Sequence, residues 1–226
     1  MNHPAQKNGP QQIVAMLGRW PEIGRSKTRL AAALGGGPAN QIYRQLLKHS
    51  AAHALESAII PNRKAIFFVD PPERARAMRK CLGDGHQVFP QIEGDLGRRA
   101  RAAAEVAFAG GAAAVVVMGS SCPQLTPERI ERAFEELSSH QVVLGPTTDG
   151  GLYLIGLSRM VPELFKPLQW DSGRAVKTIR DRCTRLGLDV SELEQLLEIN
   201  RVEDLTDDVL ASIGLTRAEL LSEAAI

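Results

Sequence analysis

The chain has 226 residues, 44% of them hydrophobic and only 4% aromatic, with 27 basic and 26 acidic side chains leaving a net charge of +1. Such a length suits one domain with a sizeable core, while the balanced charge and scarce aromatics exclude a surface built for nucleic acid or an anionic membrane. No apolar run approaches the roughly 18 residues that a membrane-spanning helix needs.

Met1 to Gln12 is polar, rich in Asn, Gln and Pro, and has no apolar stretch of the signal-peptide kind. It reads as a flexible tail (1–12) ahead of a single domain (13–226). Cys81, Cys122 and Cys183 match no metal-ligand spacing and suit a reducing compartment, so a cytoplasmic location is expected. Ile13 to Leu17 predicts a short buried strand, and the loop Arg19 to Thr28 follows. A helix is expected from about Ala39 to Ser57, with Pro38 near its start and Ile42, Leu46, Leu47 and Leu55 at helical spacing. Lys64 to Val69 reads as a strand, Glu73 to Leu82 as a helix, Gln87 to Ile92 as a third strand and Asp95 to Phe108 as an Ala- and Arg-rich helix. Ala113 to Met118, a run of β-branched residues, has the character of a central parallel strand covered on both faces. Thr126-Pro127-Glu128 opens the next helix, with Thr126 as its cap. Gln141 to Leu144 and Leu152 to Leu157 are two more strands. Asp171 or Ser172 is expected to cap a helix running to Leu186. Helices over Glu203 to Ile213 and Thr216 to Ala225, the latter with a Thr216…Glu219 capping box, end the chain. This alternation predicts an α/β fold: a three-layer, Rossmann-like, mostly parallel sheet with helices on both faces.

Open α/β sheets bind ligands beyond the carboxyl ends of their strands, and four loops there carry unusual residues. The first places Arg19, Arg25, Lys27 and Arg29 within eleven residues, with Gly24 allowing close backbone approach and Thr28 beside them. Guanidinium groups grip phosphate oxygens in pairs and lysine adds a point charge, although a solvated basic loop satisfies the same composition. The second is Glu93-Gly94-Asp95-Leu96-Gly97, a helix entry with Asp95 as cap that also brings Glu93 and Asp95 to the edge. The third, Gly119-Ser120-Ser121-Cys122-Pro123, offers two hydroxyls. The fourth, Thr147-Thr148-Asp149-Gly150-Gly151, presents a carboxylate from a tight turn and is equally a hairpin signal. Trp170 suits either the core or a pocket wall. His3, His49, His53, His86 and His140 form no cluster, and surface or packing roles are expected of them.

These segments resemble a bacterial family of glycosyltransferase-A (GT-A) superfamily proteins of uncharacterised function, more distantly similar to molybdenum cofactor guanylyltransferases and 2-phospholactate guanylyltransferases. The family's Pro-Gly-Arg-x-Lys-Thr-Arg-Leu loop is matched by Ile23 to Leu30, its Gly-Glu-Gly-Asp-Leu-Gly segment by Ile92 to Gly97, and its Leu-Gly-Pro-x-x-Asp-Gly-Gly-x-Tyr-Leu-Ile-Gly-Leu segment by Leu144 to Leu157. The resemblance implies a nucleotide or nucleotide-sugar at the carboxyl edge. Lys27 and Arg29 would hold its phosphates, Asp95 would lie near the nucleoside, and Asp149, Gly150 and Gly151 would face an unknown acceptor, with Asp149 as candidate general base. It also implies Mg²⁺ or Mn²⁺. Two expected carboxylate positions, however, hold Ser121 and Asn200, leaving Glu198 and Asn200 as the candidate metal residues beside Asp149. Three readings stay open: a glycosyl transferase with weakened metal dependence, a nucleotidyltransferase acting on a phosphorylated acceptor, and a binding protein that has lost catalysis.

Overall fold

The computed structural model describes residues 11–83, 85–170 and 173–223. Seven strands form one sheet: β1 (Gln12–Arg19), β2 (Arg63–Asp70), β3 (Gln87–Pro90), β4 (Ala114–Met118), β5 (Val142–Pro146), β6 (Leu152–Leu157) and β7 (Val190–Glu192), in the order β3-β2-β1-β4-β6-β5-β7. Only β6 runs against the others, paired antiparallel with both β4 and β5.

Side chains of a strand alternate between its two faces, and here both faces are covered, which is why the strands read as unbroken apolar runs. Ile13, Ala15 and Leu17 of β1 share one cluster with Val115 and Val117 of β4, packed on Ala100, Ala103, Ala104 and Ala107 of α4 (Leu96–Ala109) and on Ile179 and Cys183 of α6 (Ala175–Arg185). The alternate residues Val14, Met16, Val116 and Met118 face α2 (Gly36–Ser57), α3 (Ala75–Leu82) and α5 (Pro127–Glu136) through Leu47, Ala51, Met78, Ile130 and Phe134. A third cluster joins Leu30 of α1 (Thr28–Leu34) and Ile42 and Leu46 of α2 to Ile199, Leu205, Leu210, Ile213 and Leu220 from the chain's last segment, which includes α7 (Asp207–Ser212) and α8 (Arg217–Glu223). This last packing returns the chain's end to the carboxyl edge of the sheet.

Several boundaries differ from the sequence expectation. β1 begins at Gln12, because Gln12 N donates to Asn62 O at 2.8 Å and pairs in register with Arg63. β3 ends at Pro90, since Gln91 turns its side chain inward to the Gly18 and Phe68 carbonyls at 2.8 and 2.9 Å. The seven-residue α1 and the three-residue β7 had no periodic signal to announce them. The single helix expected over Glu203 to Ile213 is a 3-10 turn, Val202–Asp204, followed by α7. Asp204 breaks it by accepting from Asn200 N and Arg201 N, and Thr206 caps the new helix by accepting from Val209 N. Thr126 occupies the N-cap of α5 without a side-chain capping bond. Asp171 and Ser172 lie outside the described residues; α6 itself follows Arg174. Asp95 caps α4, accepting from Arg98 N at 2.8 Å, and the Thr216–Glu219 capping box forms in both directions.

One buried cation ties the amino ends of the strands together. The Arg63 side chain is 1% exposed, donates to Gln12 Oε1, Ser57 O and Glu131 Oε2, and lies 4.2 Å from the centre of the Phe134 ring. Glu131, by contrast, is 42% exposed, so water can replace its partner. Arg63→Met is therefore expected to lower unfolding free energy by about 2 kcal/mol, through lost buried hydrogen bonds. Glu131→Gln should cost less than about 1 kcal/mol. Urea unfolding of both variants checks the contrast, and equal losses would contradict it.

Candidate functional site

Since six strands share a direction, their carboxyl ends, and the start of β6, open onto one edge. The loops following β1, β4, β5 and β7 bring Lys27, Ser121, Asp149, Glu198 and Asn200 together there.

Lys27 stands at the centre. Its backbone has φ 50° and ψ 46°, a left-handed conformation that costs a non-glycine residue roughly 1–2 kcal/mol and persists only where the surroundings enforce it. Its carbonyl accepts from Ala31 N at 2.8 Å, starting α1, while its side chain turns inward and is only 7% exposed. The ammonium donates to Ser121 Oγ at 2.9 Å, to Asn200 Oδ1 at 3.3 Å and to the Ile199 carbonyl, with Glu198 Oε1 at 3.9 Å. An ammonium has three N–H donors, and here three oxygens take them. Burial pulls the Lys27 pKa below the ordinary lysine range, and the Glu198 carboxylate is the strongest influence in the other direction.

Each oxygen is itself held. Ile199 N donates to Ser121 O at 3.0 Å, joining the last segment to the loop after β4. That loop is fixed to α2 from behind, where His49 Nε2 donates to Pro123 O at 2.9 Å and His53 Nδ1 to Leu125 O at 2.8 Å. Both histidines thus have packing roles. Asn200 donates through Nδ2 to Asp149 Oδ2 at 3.1 Å, which turns its Oδ1 toward Lys27. Asp149 Oδ1 accepts from Thr147 Oγ1 at 2.5 Å and from Gly151 N at 3.2 Å, and Thr147 is fully buried. The turn around Asp149 is a hairpin between β5 and β6, with Thr147 N bonded to Gly151 O at 3.0 Å.

The other candidates are placed as follows. Arg19 donates to Asp70 Oδ2 at 3.1 Å and to Arg25 O at 2.6 Å, and Arg25 donates to Glu22 Oε2 at 3.3 Å. These two arginines thus brace the loop at Gly24, which has φ 81°. Thr28 and Arg29 are exposed in the first turn of α1, and Arg29 has no hydrogen-bond or ion-pair partner among the described residues. Glu93 and Asp95 are exposed, Asp95 being committed to its helix cap. Ser120 is buried, its hydroxyl 3.2 Å from that of Tyr43, which accepts from Arg19 N at 2.8 Å. Trp170 lies against Gly97 so closely that a Cβ there would overlap the indole. Sequence reasoning passed over Thr147 and Asp204 as anchors, and the Ile199 carbonyl, which has no side-chain signature. It also missed the Asp70–Arg99 pair, at 3.2 Å, beside Gln91.

The donor set at the convergence point does not fit a hard divalent ion. Mg²⁺ and its kin seek carboxylates and waters, whereas the point already holds an ammonium among a hydroxyl, an amide and a peptide carbonyl, with the Glu198 carboxylate 3.9 Å away as its counter-charge. Among the described residues no three His, Cys, Asp or Glu side chains form a group able to hold a metal.

Gly150 has φ 84°, and a Cβ on it would overlap the Gly173 carbonyl. Gly150→Ala is accordingly expected to destabilise the protein by roughly 2–3 kcal/mol, combining strain and overlap, and to displace Asp149. Thermal unfolding and the Gly151 amide resonance would report it; an unaltered melting temperature would refute the tight turn.

No curated protein matches the chain by sequence. Among solved structures, it is similar to a candidate nucleotide-diphospho-sugar transferase from Desulfovibrio desulfuricans G20, at 26% identity and a TM-score of 0.79 over 96% of each chain. A cytidylyltransferase from Leptospira borgpetersenii serovar Hardjo-bovis (strain JB197) aligns at 12% identity and a TM-score of 0.58, covering 95% of this chain and 93% of that one. The manganese complex of Rv0371C from Mycobacterium tuberculosis H37Rv aligns at 19% identity and a TM-score of 0.50, covering 87% and 96%. The last two share the fold alone. The family model described as "Uncharacterized protein conserved in bacteria (DUF2064)" matches residues 54–172, more than half the chain, and the chain belongs to that family.

Proposed function

We propose that the protein is a nucleotide-binding transferase that moves a sugar from a nucleotide-sugar donor to an acceptor. The observation that carries this reading is the buried Lys27 ammonium at the carboxyl-edge site, with Arg29, which has no partner among the described residues, exposed in the first turn of α1 two residues away. Open α/β sheets take their ligands at this edge. The likeness, along nearly the whole chain, to a candidate nucleotide-diphospho-sugar transferase supports the choice of donor.

The chemistry follows from where charge develops. When the bond between sugar and diphosphate breaks, negative charge accumulates on the departing diphosphate. Fixed positive groups stabilise that charge best where water is scarce and no reorganisation is needed. Lys27 supplies such a charge, immobilised by its three acceptors. Arg29, exposed in the first turn of α1, is suited to grip phosphate oxygens directly with two N–H groups. Asp149 is held by Thr147, Gly151 and Asn200, so its carboxylate is oriented before any acceptor arrives. It is our candidate to accept a hydrogen bond or a proton from an attacking hydroxyl, presented by the tight turn through Gly150 and Gly151. Asp95 and Glu93 would border the nucleoside, and Trp170 the acceptor side.

The test is calorimetry and product analysis with UDP, GDP, CDP and their sugar conjugates. The wild type should bind at least one of them and release a nucleoside diphosphate from its conjugate. Arg29→Ala should weaken binding about tenfold, the scale of one charge-assisted contact, with a melting temperature within ~2 °C of wild type. Lys27→Met should weaken it at least as much. Unchanged affinity in both variants would remove the basic loop from the function. Pyrophosphate release from a nucleoside triphosphate, without turnover of any sugar conjugate, would replace glycosyl by nucleotidyl transfer.

A further inference from the structure

We propose that Lys27 is the resident cation of this site: its ammonium stands where the loops after β1, β4 and β7 would otherwise gather around a divalent ion, and it makes the site independent of metal. Three observations converge on this assignment.

The first is the completeness of the ammonium's shell. Ser121 Oγ, Asn200 Oδ1 and the Ile199 carbonyl take its three protons, and the Glu198 carboxylate lies 3.9 Å away as counter-charge. A lysine merely passing through would leave at least one donor to water.

The second is the size of the cradle. The two side-chain oxygens lie 2.9 and 3.3 Å from the nitrogen, the spacing of N–H···O bonds, whereas Mg²⁺ requires oxygens at about 2.0–2.1 Å.

The third is the commitment of two neighbouring carboxylates, Asp149 and Asp204, beside Glu198, the ammonium's counter-charge. Asp149 is bound by Thr147, Gly151 and Asn200, and Asp204 accepts from the backbone of Asn200 and Arg201. Neither is free to enter a metal shell without dismantling the support of Asn200. The amide of Asn200 itself is polarised for the job, since its N–H points to Asp149 and its oxygen to Lys27. An aspartate at that place would set a second carboxylate against Asp149 instead.

A cation that belongs to the chain differs from a bound one in being always present, at fixed stoichiometry and unaffected by metal supply or chelation. The ligand class that follows, a nucleoside diphosphate group taken up without divalent metal, rests on the transferase reading above. The exclusion of metal by Lys27 does not.

The experiment titrates Mn²⁺ alone, followed by its electron paramagnetic resonance, into the wild type, Ser121→Asp and the double variant Ser121→Asp with Lys27→Met. The wild type should show no saturable site up to about 1 mM metal, the weak end of the range of built cation sites. Ser121→Asp alone should also show none, because the new carboxylate pairs with the lysine that still occupies the centre. The double variant should bind at least about tenfold more tightly than either, as the carboxylate and the vacated oxygens become available. Saturable binding in the wild type, or Ser121→Asp binding as tightly as the double variant, would overturn the proposal. Should the double variant fail to fold, as judged by circular dichroism, the wild-type and single-variant titrations decide it. In parallel, the affinity of the wild type for the nucleoside diphosphates should change less than about twofold between excess Mn²⁺ and excess chelator. A tenfold gain with Mn²⁺ would also overturn the proposal. Failure to bind any nucleotide would end the transferase reading, while the metal titration would still decide the role of Lys27.

Discussion

The carboxyl edge of this protein is organised by one interaction: a lysine ammonium, removed from water, donating hydrogen bonds to three oxygens from two distant segments. Desolvating such a charge is expensive unless every donor is matched, so the requirement propagates outward. Asn200 must present its oxygen, which Asp149 ensures by accepting a hydrogen bond from the amide Nδ2. Asp149 must hold still, which Thr147 and Gly151 ensure. The backbone of Asn200 must be fixed, which Asp204 ensures. Much of the local polar geometry is therefore determined by the cation.

Packing does the remaining positioning. The sheet supplies a row of strand ends, and the reversal of β6 returns the chain to the same edge through the Asp149 turn. The third apolar cluster then clamps the final segment onto α1 and α2, carrying Ile199 and Asn200 to within reach of Lys27. Apolar burial sets the address and hydrogen bonds set the orientation. The loop after β4 is reached from both sides, by Ile199 in front and by the two histidines of α2 behind.

The fold was legible because both-face burial writes β-branched runs into strands and leaves glycines and prolines between them. β7, three residues long with the sequence Val190-Ser191-Glu192, carried no such signal, since a short strand at the edge of a sheet buries little. α1 was hidden by its length, too short for a periodicity to establish itself. At the site, Lys27, Ser121, Asp149 and Asn200 could all be singled out from sequence, and the spacing of Asp149-Gly150-Gly151 announced a tight turn. What no local pattern could disclose was that the lysine points inward, because that depends on oxygens 94, 172 and 173 residues away. The region matched by the family model contains Ser121 and Asp149 but ends before Glu198 and begins after Lys27.

Those separations have a consequence for the order in which the molecule comes into being. On a ribosome Lys27 emerges well before Ile199 and Asn200, which lie 172 and 173 residues further along the chain. The early strands can pair while the chain is still growing, yet the charged centre has no complete shell until Asn200 has emerged. A nascent chain halted short of Asn200 would thus carry its strands while the shell of Lys27 stayed incomplete.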